Sequence, residues 1–348
     1  MRKFVFNIII LLFCLSLSAQ NGTSIYQYLS APVSSRMAAL GGTNVSLRSG
    51  EITDAIQNPA LLTAEAHNSL SLNFGVYVAN TLSATVGYAY TYKDNYFAVG
   101  VQYMDYGKFD GADELDISTG KFSARDFAFS LIYGRRINDM FSVGATLKPL
   151  YSSYERYSSF AMAADIGAYF ITRDSLFSMG LALRNAGVQF KGFHDDEDGR
   201  QYREKLPIDL QFGMSLRFRH APFRFHVTFH NLQKWNLDYQ FTNHSSTGLD
   251  GSSSTQTNKI KGIDMFFRHT IWAVDILAGK YVCLTASYNH RRQKEYAALG
   301  FKSAAGLAFG AQLTMKKFHL GYGVAQYQKG NWTHHISLQL NIQHLMKQ

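Results

Sequence analysis

Polar and apolar residues alternate strictly along several long stretches of the chain. Ile208, Leu210, Phe212, Met214, Leu216 and Phe218 share one face, opposite Asp209, Gln211, Gly213, Ser215 and Arg217. After a short "HAP" turn, Phe223, Phe225, Val227 and Phe229 resume the pattern against Arg224, His226, Thr228 and His230. Ile336, Leu338, Leu340 and Ile342 repeat it against Ser337, Gln339, Asn341 and Gln343. A period of two puts one row of side chains on each side of a half-buried β-strand. The pattern predicts about fourteen strands. They lie at roughly 68–79, 81–92, 96–106, 123–134, 141–152, 160–171, 176–185, 207–219, 223–232, 270–278, 281–290, 303–315, 317–327 and 333–344. Most have the ~10 residues needed to cross a bilayer at a tilt.

The connections sort by length. Those at 93–95, 135–140, 172–175, 220–222 and 279–280 are short, and those at 107–122, 153–159, 186–206, 233–269 and 291–302 are long. The first hairpin, near Asn80, is the exception. Short turns at one end and long loops at the other is the arrangement of outer-membrane barrels, and a soluble sandwich has no reason to sort its loops this way. No stretch approaches ~18 consecutive apolar residues after the leader, so a membrane span must come from a closed barrel. The expected fold is therefore all-β. It is a transmembrane barrel of about 14 antiparallel strands over 68–348, preceded by a small hatch or plug segment at 20–67.

Composition fits long aromatic strands: aromatic residues make up 14% of the 348 residues, charged ones 17%, with 28 glycines and 5 prolines. Gly75, Gly87, Gly100, Gly144, Gly167, Gly180, Gly213 and Gly310 fall on the non-aromatic side of their strands. Lipid takes the bulky side, so these glycines should point inward. They either leave room for something wide in the lumen or ease the curvature of the wall. The chain begins with Arg2, Lys3, an apolar run from Phe4 to Leu17, and Ala19, the pattern of a cleaved secretory signal over 1–19. Phe13 before Cys14 argues against a lipoprotein anchor. Past the leader Cys283 is the one cysteine, so no intrachain disulfide is expected. The leader takes two basic residues from a formal charge of +9.

Candidate chemistry is sparse. "RMAALGGTNVSL" at 36–47 lacks both the G-x-G-x-x-G of a dinucleotide site and the Gly-Lys-Ser/Thr of a P-loop. Read structurally, Ser35–Leu40 forms one or two helical turns that Gly41 and Gly42 end. Asn58 is biased to an extended conformation and Pro59 starts a second short element. Arg36, Gly41, Gly42, Asn44, Asn58 and Pro59 are thus the candidate residues of a hatch that lies either in the periplasm or inside the lumen. "HDDEDGR" at 194–200 lacks the spacing of an ion loop and reads as a solvated or lipopolysaccharide-facing outer loop. The Ser/Thr-rich stretch 241–258 reads as a loop, and "DMFFRHTIW" after it as an amphipathic segment on the rim. His290, Arg291 and Arg292 end an outward-going strand. They could pair with acids of neighbouring loops, with lipid phosphates or with a partner, or simply form a charged rim. His334 and His335 point to opposite strand faces and cannot readily share a metal. No nucleophile–base or paired-carboxylate set can be argued, so no enzyme activity, cofactor, metal or nucleic-acid partner is expected.

Two regions carry a family resemblance. "GTSIYQYLSAPVSSRMAALGGTNVSL…DAIQNPALL" and the run from "RHTIWAVDILAGK" through "YNHRRQKEY" to "GYGVAQYQ" resemble the PorV/PorQ family of type IX secretion proteins, a group related to the FadL outer-membrane transporters. The chain ends in "HLMKQ", without the terminal aromatic common in such barrels. The resemblance implies a fourteen-stranded barrel with an N-terminal hatch in the outer membrane. It implies membership, with PorU, PorV and PorZ, of the attachment complex that removes cargo signals and links cargo to lipopolysaccharide. The PorQ-like barrel would hold PorZ at the surface, and peptidase chemistry would belong to PorU. The rival expectation is a FadL-like transporter of hydrophobic solutes with the hatch as gate.

Overall fold

The computed structural model describes residues 24–346 apart from 113–114, 116, 194–202, 238, 244–253, 259, 298–303 and 329–330. Its strands are β1 (Ser69–Val76), β2 (Leu82–Tyr92), β3 (Asn95–Ala112), β4 (Ser118–Arg136), β5 (Phe141–Tyr154), β6 (Tyr157–Ile171), β7 (Phe177–Lys191), β8 (Asp209–Arg217) and β9 (Phe223–Phe229). A separate hairpin, β10 (Tyr239–Asn243) and β11 (Ser254–Asn258), follows. The wall then resumes with β12 (Thr270–Ala278), β13 (Val282–Asn289), β14 (Leu307–Thr314), β15 (Phe318–Gln328) and β16 (Asn331–Asn341). All but the hairpin form one closed antiparallel barrel, sealed where β1 meets β16 with Ser69 opposite Asn341 and Val76 opposite His334. The barrel has the fourteen strands expected from the alternation. No helix of the described residues is long and apolar enough to cross a membrane.

The two rows of side chains separate as the period of two requires. Along β16, Thr333, His335, Ser337 and Gln339 are buried inside, while Trp332 and Ile336 are exposed outside. Along β8, Gln211, Gly213 and Ser215 face in, opposite Leu210, Phe212 and Met214. The outer surface is an apolar coat that includes Phe74, Val86, Phe97, Val99, Phe129, Leu131, Val143 and Phe225. Such a coat around a closed barrel is stable against hydrocarbon, not against water.

Connections alternate between two ends. One end has the turns 93–94, 137–140, 172–176, 218–222, 279–281 and 315–317. The other gathers the long connections 192–208, 230–269 and 290–306. The loops expected at 107–122 and 153–159 are narrower than their sequence suggests. β3 and β4 leave 113–117 between them, and β5 and β6 leave 155–156. Past Tyr106 neither face of β3 is buried, so the apolar alternation stops while the backbone ladder continues to Ala112. Strands that rise beyond hydrocarbon read as loops because nothing selects an apolar face there. Helix α3 (Gly262–Arg268) and helix α4 (His290–Ala297) stand at this same end. The acidic stretch 194–200, the leader 1–19 and most of the Ser/Thr-rich loop lie outside the described residues.

Candidate functional site: the filled lumen and the cavity above it

Residues 24–67 occupy the lumen. Helix α1 (Ser35–Ala39) begins where Ser34 Oγ accepts a hydrogen bond from Met37 N at 3.3 Å. It ends as the Gly pair predicts: Gly41 and Gly42 take φ of +88° and +115°, and their N–H groups reach the Ala38 and Met37 carbonyls at 3.1 and 2.9 Å. Asn44 Oδ1 then accepts from Ser46 N at 3.0 Å and Leu47 N at 2.7 Å, fixing the next bend. Helix α2 (Ile52–Gln57) stops at Asn58, which is extended (φ −146°, ψ 110°) as its following proline demands. Asn58 Oδ1 accepts from Ala60 N at 3.0 Å, opening a 3₁₀ turn over Pro59–Leu61. Its amide nitrogen donates to the Val45 and Ala168 carbonyls at 2.9 and 3.3 Å, tying three segments together.

The inward glycines are where this segment touches the wall. A Cβ on Gly87 would lie 2.9 Å from Ile52 Cγ2, one on Gly144 2.5 Å from the Pro59 carbonyl carbon, and one on Gly310 2.5 Å from Ala39 Cβ. Gly100, Gly167, Gly180 and Gly213 meet Ile56, Asn58, Val45 and Ser46 in turn, while Gly75 meets His335 and Tyr77. Of the two explanations for these glycines, room for the segment accounts for seven of the eight. Val33, Met37, Leu40, Ile52, Ile56 and Leu62 pack with Ala89, Tyr96, Ala98 and Ile132 of the wall into one apolar cluster. The inside of this barrel is built like the core of a soluble protein.

A charged bolt crosses the same interface. The Arg36 guanidinium is buried and donates to Asp275 Oδ2 at 2.6 Å, Thr285 Oγ1 at 2.9 Å and Gln312 Oε1 at 2.5 Å. Asp275, fully buried on β12, also meets Arg224 Nη2 at 2.7 Å, His226 Nε2 at 3.0 Å and Thr285 Oγ1 at 2.7 Å. Sequence reading singled out Arg36 but not its partners. Each partner is a polar side chain at an inward position, so the parity of the strands was the signal available for them.

Asp54 of α2 accepts from Ser49 N and Oγ at 2.8 and 2.7 Å through Oδ2, and its enclosed Oδ1 has no partner. Burial, reinforced by Glu51, pushes its carboxyl up to about 7. The folded state therefore holds this proton more tightly than the unfolded chain. Its contribution to stability is complete below about pH 4 and disappears as pH rises to about 7. The thermal midpoint of the wild type should fall across that window relative to Asp54→Asn; parallel midpoints would disprove the assignment.

The rim candidates separate. His290 Nε2 bonds Asp264 Oδ1 at 2.8 Å, joining α4 to α3, and Arg291 Nε bonds Glu295 Oε1 at 2.6 Å. Burial alone would raise Asp264, but His290 and Arg268 hold it below the usual carboxylate range. Arg292 turns inward instead, its guanidinium carbon 4.1 Å from the centre of the Tyr327 ring. It lies against Gly42, where a Cβ would come within 2.5 Å of Nη2. Above this point is a cavity of about 950 Å³. Its floor is Gly41–Thr43; Arg184, Asp209, Gln211 and His230 form its wall; 203–208 with Asn231, Gln233 and Lys234 enclose it. Polar and charged residues outnumber apolar ones in the lining, although Leu206, Ile208, Leu237 and Ile271 contribute. Among the described residues no group of three or more His, Cys, Asp or Glu side chains is placed to hold a metal ion.

No protein-family model matches the chain, and no curated protein matches it significantly. Solved structures do. The toluene transporter TodX of Pseudomonas putida superimposes with a TM-score of 0.57 at 10% identity, covering 89% of this chain and 98% of TodX. CymD, a monoaromatic hydrocarbon channel, gives 0.53 at 12% identity over 89% of this chain and 97% of its own. A FadL homologue of Pseudomonas aeruginosa gives 0.48 at 9% identity over 89% and 98%. At these identities the likeness is one of fold: TodX and CymD share this barrel over nearly their whole length.

Proposed function

We propose that this chain is a non-enzymatic outer-membrane barrel whose lumen stays filled and whose long-loop end is the working surface. In this reading it is the docking platform of the type IX attachment complex, holding PorZ beside PorU and PorV where cargo is anchored to lipopolysaccharide. The type IX assignment and the partners rest on the sequence resemblance. The observation that supports docking over passage is the seating of 24–67, which is bolted by the buried Arg36–Asp275 pair at 2.6 Å and packed into the wall's glycines. A second reading has its own support. TodX and CymD, a toluene transporter and a hydrocarbon channel, share the fold, and the structural comparisons favour passage of a hydrophobic solute over docking. The N-terminal segment would then be a gate.

A reversible lock separates the two. The Cβ of Ile52 lies 3.8 Å from the position of a Cβ on Gly87, the ordinary separation in a disulfide. In a Cys283→Ala background, Ile52→Cys with Gly87→Cys should oxidise and pin α2 to β2. Docking predicts that oxidised cells keep PorZ at the surface, and that excising 239–258 releases it from an inserted barrel. Retention of PorZ after that excision sinks the docking reading. Passage predicts that oxidation abolishes toluene uptake into proteoliposomes and that reduction restores it.

A further inference from the structure

The ladder between β6 and β7 shifts register twice, and one shift lies at Asp165. Leu183 pairs with Ile166 and Ala186 with Ala164, so Arg184 and Asn185 together oppose Asp165. Asn185 absorbs the extra residue with a φ of 55°. A bulge of this kind re-aims side chains, and here it turns both residues inward. They meet different fates. Asn185 N donates to Asp165 Oδ1 at 2.7 Å, and Lys148 Nζ sits 2.5 Å from Asp165 Oδ2 and 3.2 Å from Asn185 Oδ1. Lys148 thus neutralises the one acid of the bulge, and Arg184 is left over.

Arg184 is 4% exposed and lines the cavity. Among the described residues none makes an ion pair or a side-chain hydrogen bond with its guanidinium, and its enclosed Nε has no partner. The acids on the same lining form no ion pair with it, although Asp209 sits opposite Arg184 in the β7–β8 ladder. Asp209 accepts from Asn231 N and Gln211 Nε2, each at 2.6 Å, and Glu295 is held by Arg291. Glu204 lines the cavity without forming an ion pair to it. Two strands away, His230 is 7% exposed and lines the same space. Its Nδ1 accepts from the Asn231 amide at 2.8 Å, so the ring proton sits on Nε2, which is enclosed and also unpartnered. A buried guanidinium and a buried N–H without hydrogen-bond partners on one cavity call for a group that completes them.

We propose that this cavity binds an anionic group, a carboxylate or a phosphate, through the Arg184 guanidinium with His230 Nε2–H as a second donor. The planar fork of arginine suits either oxyanion. The site needs no opening of the lumen, because Gly41–Thr43 lie beneath it as its floor. It stands whether the rim docks a protein or admits a solute.

Calorimetry on the full-length barrel in a zwitterionic detergent tests this, with inorganic phosphate and N-acetylglycine as separate probes at constant ionic strength. At least one should bind. Arg184→Gln should weaken that binding at least about tenfold and Arg184→Lys less so. His230→Gln should weaken it, and Arg173→Gln, at the short-turn end, should not. Binding of phosphate alone points to a phosphorylated headgroup or free phosphate. Binding of N-acetylglycine alone points to a chain terminus or sugar acid, and binding of both to the shared chemistry. A structural role for Arg184 makes a separate prediction. Without anion, Arg184→Gln should then melt below the wild type, whereas a ligand-awaiting cation gives an equal or higher midpoint. Failure of the wild type to bind either probe, or undiminished binding by Arg184→Gln, overturns the proposal.

Discussion

Asp275→Asn will loosen the N-terminal segment and lower the stability of the folded barrel by about 3–5 kcal/mol. One fully buried carboxylate faces the buried Arg36 guanidinium, the partly exposed Arg224 guanidinium, an imidazole and a hydroxyl. Removing its charge leaves Arg36 enclosed without a counter-ion at 3% exposure. The cost is mostly that of the stranded cation, so truncating the arginine as well should recover much of it. Arg36→Met with Asp275→Leu is expected to be far milder than Asp275→Asn alone. Denaturant midpoints measure the loss of stability, and cleavage within 24–67 by added protease the loosening of the segment. Equal midpoints for wild type and Asp275→Asn would show that the bolt carries no weight.

Gly144→Val will displace the segment by a different route. A Cβ there would sit 2.5 and 2.7 Å from the carbonyl carbon and oxygen of Pro59 and 2.8 Å from the Tyr133 carbonyl. These are backbone atoms, and Pro59 is held by the Asn58 cap, so no side-chain rotation relieves the clash. Overpacking of this kind costs about 1–3 kcal/mol or more, and here it falls on the joint between plug and wall. The expected result is a barrel that still inserts, with the disulfide between Ile52→Cys and Gly87→Cys now slow to form. Oxidation at the unmodified rate would mean that the lumen has slack at Pro59.

Much of this arrangement could be read from residue order. Strict alternation located all fourteen wall strands, because lipid outside and a packed core inside impose opposite demands on successive residues. Gly41–Gly42 and Asn58–Pro59 marked the ends of short elements because each acts through local backbone preference. Other features were not legible. The tops of β3 and β4 lost their pattern along with their lipid. The bulge at Arg184–Asn185 was marked only by Asn185, a residue depleted in strands and tolerant of positive φ, which alone does not place a bulge. Lys148, Asp165 and Asp275 were visible as lone charges among apolar neighbours, but their pairing is a matter of which strands adjoin. Arg292 looked like its two neighbours at the rim and turned inward because Gly42 made space.

The seam between β1 and β16 carries a consequence for biogenesis. Ser35 N donates to Ser337 Oγ across 302 residues, and Ile52 N to Gln339 Oε1 across 287. The acceptors lie on β16, the strand that closes the cylinder against β1. The segment that precedes the wall in the chain is therefore completed by the wall's last strand. Closing the wall and packing residues 24–67 are therefore expected to be coupled, because the closing strand supplies acceptors for both helices of the interior.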